Sequence, residues 1–173
     1  MSIITSYQEP KDILIKLARE GRRTWLANSN EDVADHLFNF CITAHSLRDW
    51  CIKYTNANAS EFHEFCNKYE HIKWCRDIAN SSKHFGLDHG KGSTVTSVSD
   101  SVDTLITLLP TGEYAPELTH ERKSITIEKS NGEREGLMMF LFLTFSNWEE
   151  IFDQYNIPRA PDSIKTEMFV EWI

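Results

Sequence analysis

The residues of this chain best suited to chemistry lie together between positions 75 and 85, in the run Cys75-Arg76-Asp77-Ile78-Ala79-Asn80-Ser81-Ser82-Lys83-His84-Phe85. On a helix turning about 100° per residue, Arg76, Asn80, Lys83 and His84 fall within about 100° of one another, with Asp77 at the edge of the same face. A guanidinium stabilises a phosphate and the charge that develops on it, an imidazole titrates near neutrality and can donate or accept a proton, and Asn80 is placed to orient either. Together these groups suit metal-independent cleavage of a phosphodiester, in which a ribose 2′-OH attacks while the imidazole moves protons. Lys83, His84, His89 and Lys91 then border or occupy a glycine-rich stretch with Gly86, Gly90 and Gly92, a locally basic loop able to meet a phosphate. The competing reading makes Asp77, Asn80 and Ser81 a solvated face, pairs Arg76 with a carboxylate on a neighbouring helix, and leaves the loop as an ordinary connector.

A second polar set, Asp32, His36, His45, Arg48 and Asp49, precedes the first. His45, Arg48 and Asp49 are spaced by three and four, so they share a helical face and can meet Arg76 and Asp77 across a helix pair as a buried ion network. If Asp49 takes Arg76, the arginine becomes a strut. Metal binding has a thinner basis. His63 with Cys66, and His71 with Cys75, stand at helical spacings that can share one zinc ion. Both cysteines, however, fall on apolar stripes where cysteine acts as a small hydrophobe. No Cys-x-x-Cys knuckle, phosphate loop or Gly-x-Ser-x-Gly elbow occurs, and the reading calls for no metal and no cofactor.

Several helices must position these groups. Pro10 suits a first helical position, and Ile13, Leu14, Leu17, Ala18 and Trp25 predict a helix near 10 to 27. Ser29 with Asp32 resembles a capping box, and Val33, Leu37, Phe40, Cys41, Ala44, Leu47 and Cys51 carry the next helix until Asn56 to Ser60 breaks it. Ser60 is the expected cap of a further helix, whose stripe runs through Phe62, Phe65, Cys66, Tyr69, Ile72 and Ala79 to about Phe85. After Gly86 the character changes. Thr94 to Ser99 and Thr104 to Leu109 have the β-branched content of short strands, Thr111 to Thr119 reads as a loop, and Lys123 to Lys129 leads into a hairpin turn at Ser130-Asn131-Gly132. Leu137 to Tyr155 predicts a buried helix whose aromatic row, Trp148, Phe152 and Tyr155, reads as core, and Ile164 to Ile173 a short docking tail.

The expected class is therefore α+β, mainly α: an antiparallel helical bundle with a small antiparallel sheet or hairpin inserted over 94 to 135, in a single domain of helices over 10 to 85 and again over 137 to 173. With 173 residues, 40% of them hydrophobic and 25% charged, the chain has globular proportions. A net charge of −8 excludes a protein that coats nucleic acid by bulk charge. The four cysteines read as reduced thiols. The N-terminus lacks a secretory pattern and no segment is long enough to span a membrane, so a cytoplasmic address is the default expectation.

An arginine with a polar neighbour, followed on the same helix by a histidine in a set of antiparallel helices, resembles the HEPN superfamily. The matching residues are Arg76, Asp77 and His84. Seven residues separate Arg76 from His84, more than the family usually has. The resemblance extends over roughly residues 10 to 85 and to the helix after 137, and it does not account for the strand region over 94 to 135. It implies a ribonuclease of a toxin or antiphage defence system, in which two copies of the motif pair across a homodimer formed through this helix, Arg76 binds phosphate and His84 transfers protons. The rival expectation is a non-enzymatic module, binding a protein partner or sensing a ligand through the same helices.

Overall fold

A computed structural model of the chain describes residues 3–83 and 94–170, with Ser82 and Lys83 given by backbone alone. The chain is mainly helical with a small antiparallel sheet, the α+β class its patterning implies. Helix α1 spans Pro10–Leu26, α2 Asn30–Thr55, α3 Ala59–Cys66 and α4 Glu70–Lys83; strands β1 (Val95–Leu108), β2 (Tyr114–Lys129) and β3 (Arg134–Gly136) follow, then α5 (Leu137–Gln154) and the single turn α6 (Ile164–Glu167).

Pro10 opens α1, and a reciprocal capping arrangement between Glu9 and Asp12 fixes its first turn. In α2 the Ser29 hydroxyl accepts a hydrogen bond from the Asp32 amide at 3.0 Å and donates to the Asp32 carboxylate at 2.9 Å, so Ser29 is the cap and Asp32 meets its hydroxyl. Asn56, in the left-handed region at φ 54°, ends the helix. The single helix expected from 60 to 85 is instead two. Asn58 rather than Ser60 caps α3, its carboxamide oxygen accepting from the amides of Ser60 and Glu61. At the junction, Lys68 donates to Phe65 and Tyr69 to Cys66 in tighter three-residue turns. Hydrophobic period alone misses this break, because Cys66 and Ile72 face the core on either side of it.

The core runs through every long helix and the base of the sheet. Leu137, Phe140, Leu141, Thr144, Phe145, Trp148, Ile151 and Phe152 of α5, at spacings of three and four, are all buried. Phe140 stacks on Trp74 of α4, with centroids 6.2 Å apart and planes 15° apart, and meets Phe40 of α2 edge-on at 6.0 Å. α2 packs against both α1 and α4, and α5 touches α1, α4 and β2. The tail closes over α1. Arg22, which by position alone only complements a helix dipole, donates to the carbonyls of Glu167 and Val170, and Trp25 meets Phe169 edge-on. Gly21 is where this approach is tightest, since a Cβ there would stand 2.8 Å from the Met168 sulfur and 3.2 Å from the Phe40 ring.

The sheet order is β1-β2-β3. The two short strands expected at 94 to 99 and 104 to 109 form one 14-residue strand, and the expected loop at 111 to 119 pairs with its far end from Tyr114 onward. Pro116 lies in an irregular stretch of β2, between the Thr107–Ala115 and Leu105–His120 pairs, where β3 no longer flanks that strand. The turn between β2 and β3 forms as its sequence implies, with Gly132 at φ +84° and a Lys129 amide bond to the Glu133 carbonyl at 2.9 Å. β3 pairs only with Thr126 to Glu128, so beyond this base β1 and β2 form a two-stranded arm.

Glu20 is a buried carboxylate on α1, accepting from Lys16 and Arg23 at 2.9 Å each. Burial alone would raise its pKa, but the Lys16 bond and charge, followed by those of Arg23, outweigh it and hold the carboxyl below its ordinary 4.5. Because the folded value is depressed, this contribution to stability is present above pH 4.5 and is lost as pH falls through the folded value. Urea unfolding of Glu20→Gln below pH 4.5 is therefore expected to show a flatter decline in stability than wild type. Parallel declines in the two proteins would remove Glu20 from the acid limb.

Candidate functional site

The last turns of α4 carry the candidate groups. Ile72, Trp74, Cys75, Ile78 and Ala79 are drawn into the core, which leaves Lys73, Arg76 and Asn80 partly exposed. Asp77, expected on a solvated face, is instead 3% exposed. Its carboxylate is a junction. Oδ1 accepts from Arg76 Nε at 2.9 Å and Nη2 at 2.8 Å, while Oδ2 accepts from the Thr94 amide at 2.8 Å and the Thr94 hydroxyl at 3.0 Å. Consecutive helical side chains normally diverge; here the long arginine side chain folds back onto its neighbour. The bond holds the guanidinium in place while its side chain stays 28% exposed.

Arg76 is thus clasped by a carboxylate, but by Asp77 and not by the exposed Asp49 of α2. The ion network expected between α2 and α4 takes another form. Arg48 is 4% exposed, donates from Nη2 to the Asn67 carboxamide at 3.2 Å, and has no hydrogen-bond partner at Nε. Burial pushes its guanidinium pKa down, and the positive charge of Arg76 acts in the same direction, against the nearby Cys66 and Cys75 sulfurs and the Asp49 carboxylate. Two guanidinium groups therefore stand near each other where α2 crosses α4, with one buried carboxylate between α4 and the sheet. Sequence spacing placed Arg48 near Arg76 but gave no sign that its partner would be a neutral amide at the α3–α4 break.

Asn80 is half-buried beside this cluster, and Ser81 donates to the Ile78 carbonyl at 2.9 Å. Lys83 ends α4, and its side chain, with the whole of His84, His89 and Lys91, lies outside the described residues. What the structure places is the two ends of that segment: α4 runs to Lys83, about 9 Å along its axis from Asp77, and the chain resumes at Thr94, on the Asp77 carboxylate. Thr94 is the residue sequence reasoning missed. Its hydrogen bonds join positions separated by 17 in sequence, and no periodicity signals them.

Of the second candidate metal pair, each member has another partner. His71 Nε2 meets Glu135 at 2.9 Å, and the Cys75 sulfur lies 3.8 Å from the Thr144 hydroxyl. Among the described residues no cluster of three or more His, Cys, Asp or Glu side chains is placed to hold a metal ion. All four cysteines are free and buried, and burial pushes the Cys66 thiol up to about 12. Trp148 and Phe152 are core residues, while Tyr155 packs against Phe62 with centroids 4.7 Å apart. No described helix is long and apolar enough to cross a membrane. The chain matches no family model, no curated protein and no solved structure.

The geometry sets one test of what holds Arg76. Asp77→Ala removes a buried acceptor of four hydrogen bonds and leaves the Arg76 charge uncompensated, an expected loss of about 3–5 kcal/mol in urea unfolding. Asp49→Ala is expected to leave the midpoint unchanged. The reverse order would mean that Asp49 is the partner.

Proposed function

We propose that the Arg76–Asp77 junction is the phosphate-binding element of a HEPN-like, metal-independent endoribonuclease of the toxin or antiphage-defence kind. In this reading Arg76 holds the scissile phosphate, Asp77 fixes the guanidinium, Asn80 orients it, His84 carries protons to and from the ribose 2′-OH and the leaving oxygen, and Lys83, His89 and Lys91 meet the flanking backbone. The helices form an antiparallel bundle, for which the packing of α2 against both α1 and α4 is the support. The partners are RNA and a second copy of the chain, and no metal or cofactor takes part.

One observation carries the reading. Arg76 is anchored through Nε and Nη2 on one oxygen of a buried carboxylate, yet more than a quarter of its side chain remains open to solvent, beside a second guanidinium that no carboxylate bonds. A purely structural ion pair gains nothing from an additional buried cation nearby, whereas an incoming phosphate is attracted by both. The anchored geometry also means that little side-chain freedom is lost when the anion arrives.

A second reading, a non-enzymatic interaction or ligand-sensing module, is favoured by the large apolar side chains exposed on the β arm, among them Ile106, Leu108 and Tyr114. The two readings separate in solution. Purified protein incubated with RNA in EDTA is expected to cleave it and leave 2′,3′-cyclic phosphate ends. Arg76→Ala and His84→Ala are each expected to lower the rate by at least about 100-fold. His84→Ala is expected to keep a melting temperature close to wild type, whereas Arg76→Ala lowers it because the buried Asp77 carboxylate loses its cation. Intact RNA across pH and substrate length would reject the nuclease, and recovery of a stoichiometric protein partner would then support the module.

A further inference from the structure

The outer edge of β1 is unusual for a free strand edge. Over its 14 residues, VTSVSDSVDTLITL, it contains no Lys, Arg or Pro, the residues with which exposed edges ordinarily discourage pairing. No strand among the described residues pairs with that edge. Between Ser97 and Leu105 its ladder to β2 is regular. Along one face, Val102, Ile106 and Leu108 are 53, 62 and 60% exposed, and Tyr114, the cross-strand partner of Leu108, is 51% exposed. The other face is occupied, with Ser124 donating to Asp103 at 2.7 Å and the Arg122 guanidinium 3.6 Å from the centre of the Trp25 ring, and on the Val102 face Asp100 accepts from the Asn30 carboxamide of α2 at 2.8 Å.

We infer that this edge pairs antiparallel with the same edge of a second copy, in a register centred on Val102. The strand is self-complementary in that register. Val102 faces Val102, Val98 faces Ile106, Asp100 faces Thr104 and Asp103 faces Ser101, while Ser99 and Thr96 face Leu105 and Leu108, so the centre of the seam is apolar, each acid meets a hydroxyl and no carboxylate opposes another. Registers centred on residue 100 or 103 place like carboxylates opposite each other. Pairing from Thr96 to Leu108 runs about 40 Å, a single strand-to-strand seam. One seam is a small interface, so the dimer forms and dissociates with concentration.

The register also fixes where the candidate sites lie. Thr94 sits eight residues from the two-fold, so the two Arg76–Asp77 junctions stand about 50 Å apart along the strands. Each is approached by the other copy's arm tip, the turn closed by the Leu109–Glu113 bond. This differs from a dimer that joins two motifs through α4, and it holds whether or not the protein cleaves RNA.

Sedimentation of the full chain over about 1–500 μM, a range chosen for the weak interface, is expected to show mass rising from 20.1 kDa toward twice that value. Val102→Lys places two ammonium groups face to face and is expected to weaken association at least about tenfold. Under mild oxidation, Val102→Cys alone is expected to form a covalent dimer, because the four native thiols are buried. Val98→Cys alone is expected not to cross-link, and Val98→Cys combined with Ile106→Cys is expected to do so. A chain that stays monomeric throughout, or a dimer that neither responds to Val102→Lys nor cross-links at position 102, overturns the inference.

Discussion

A buried carboxylate ties the end of α4 to the start of the sheet. Asp77 takes two bonds from the guanidinium next to it and two from Thr94, the first described residue after α4, so the end of a core helix and the start of the sheet share one charge. A carboxylate removed from water must have its lone pairs met, and here the two oxygens are divided between helix and sheet. Val95, directly after Thr94, is buried in the core, so the tether and the first apolar anchor of β1 act together. The path of β1, and of the arm built on it, starts from this point.

The same charge decides what Arg76 is able to do. A free arginine on a helix surface samples many rotamers and loses them on binding, whereas one fixed through Nε and Nη2 presents its remaining face in a set direction. Arg48, buried one helix away and, among the described residues, hydrogen-bonded to a neutral amide rather than a carboxylate, adds positive potential that the exposed Asp49 offsets in part. The proposed phosphate chemistry rests on that asymmetry between two cations and one enclosed anion.

The helices and their contents were legible from residue spacing. Pro10, Ser29 and Asn56 mark boundaries by local chemistry, and the apolar stripes of α1, α2 and α5 reach the core as their periods imply. The hairpin turn at Asn131-Gly132 was equally readable, since positive φ is a property of the residues themselves. Less local features were not. The break at Asn67 preserves the facing of its neighbours and so leaves no trace in the period. The continuous β1 looked like two strands because its centre, Asp100 to Asp103, is polar, and an arm with little core beneath it tolerates that.

The sequence by itself determined which segments are helical, which face of each is apolar, and which polar residues end up near the close of α4, because these follow from backbone propensity and side-chain period within a dozen residues. Tertiary structure decided the partners. Asp77 holds Arg76 and Thr94, Asn67 takes Arg48, and Glu135 takes His71, while Asp49 acts on Arg48 by charge and not on Arg76 by an ion pair. Such choices depend on which groups lose water when distant segments close on one another, and that loss is a property of the packed chain rather than of any stretch within it.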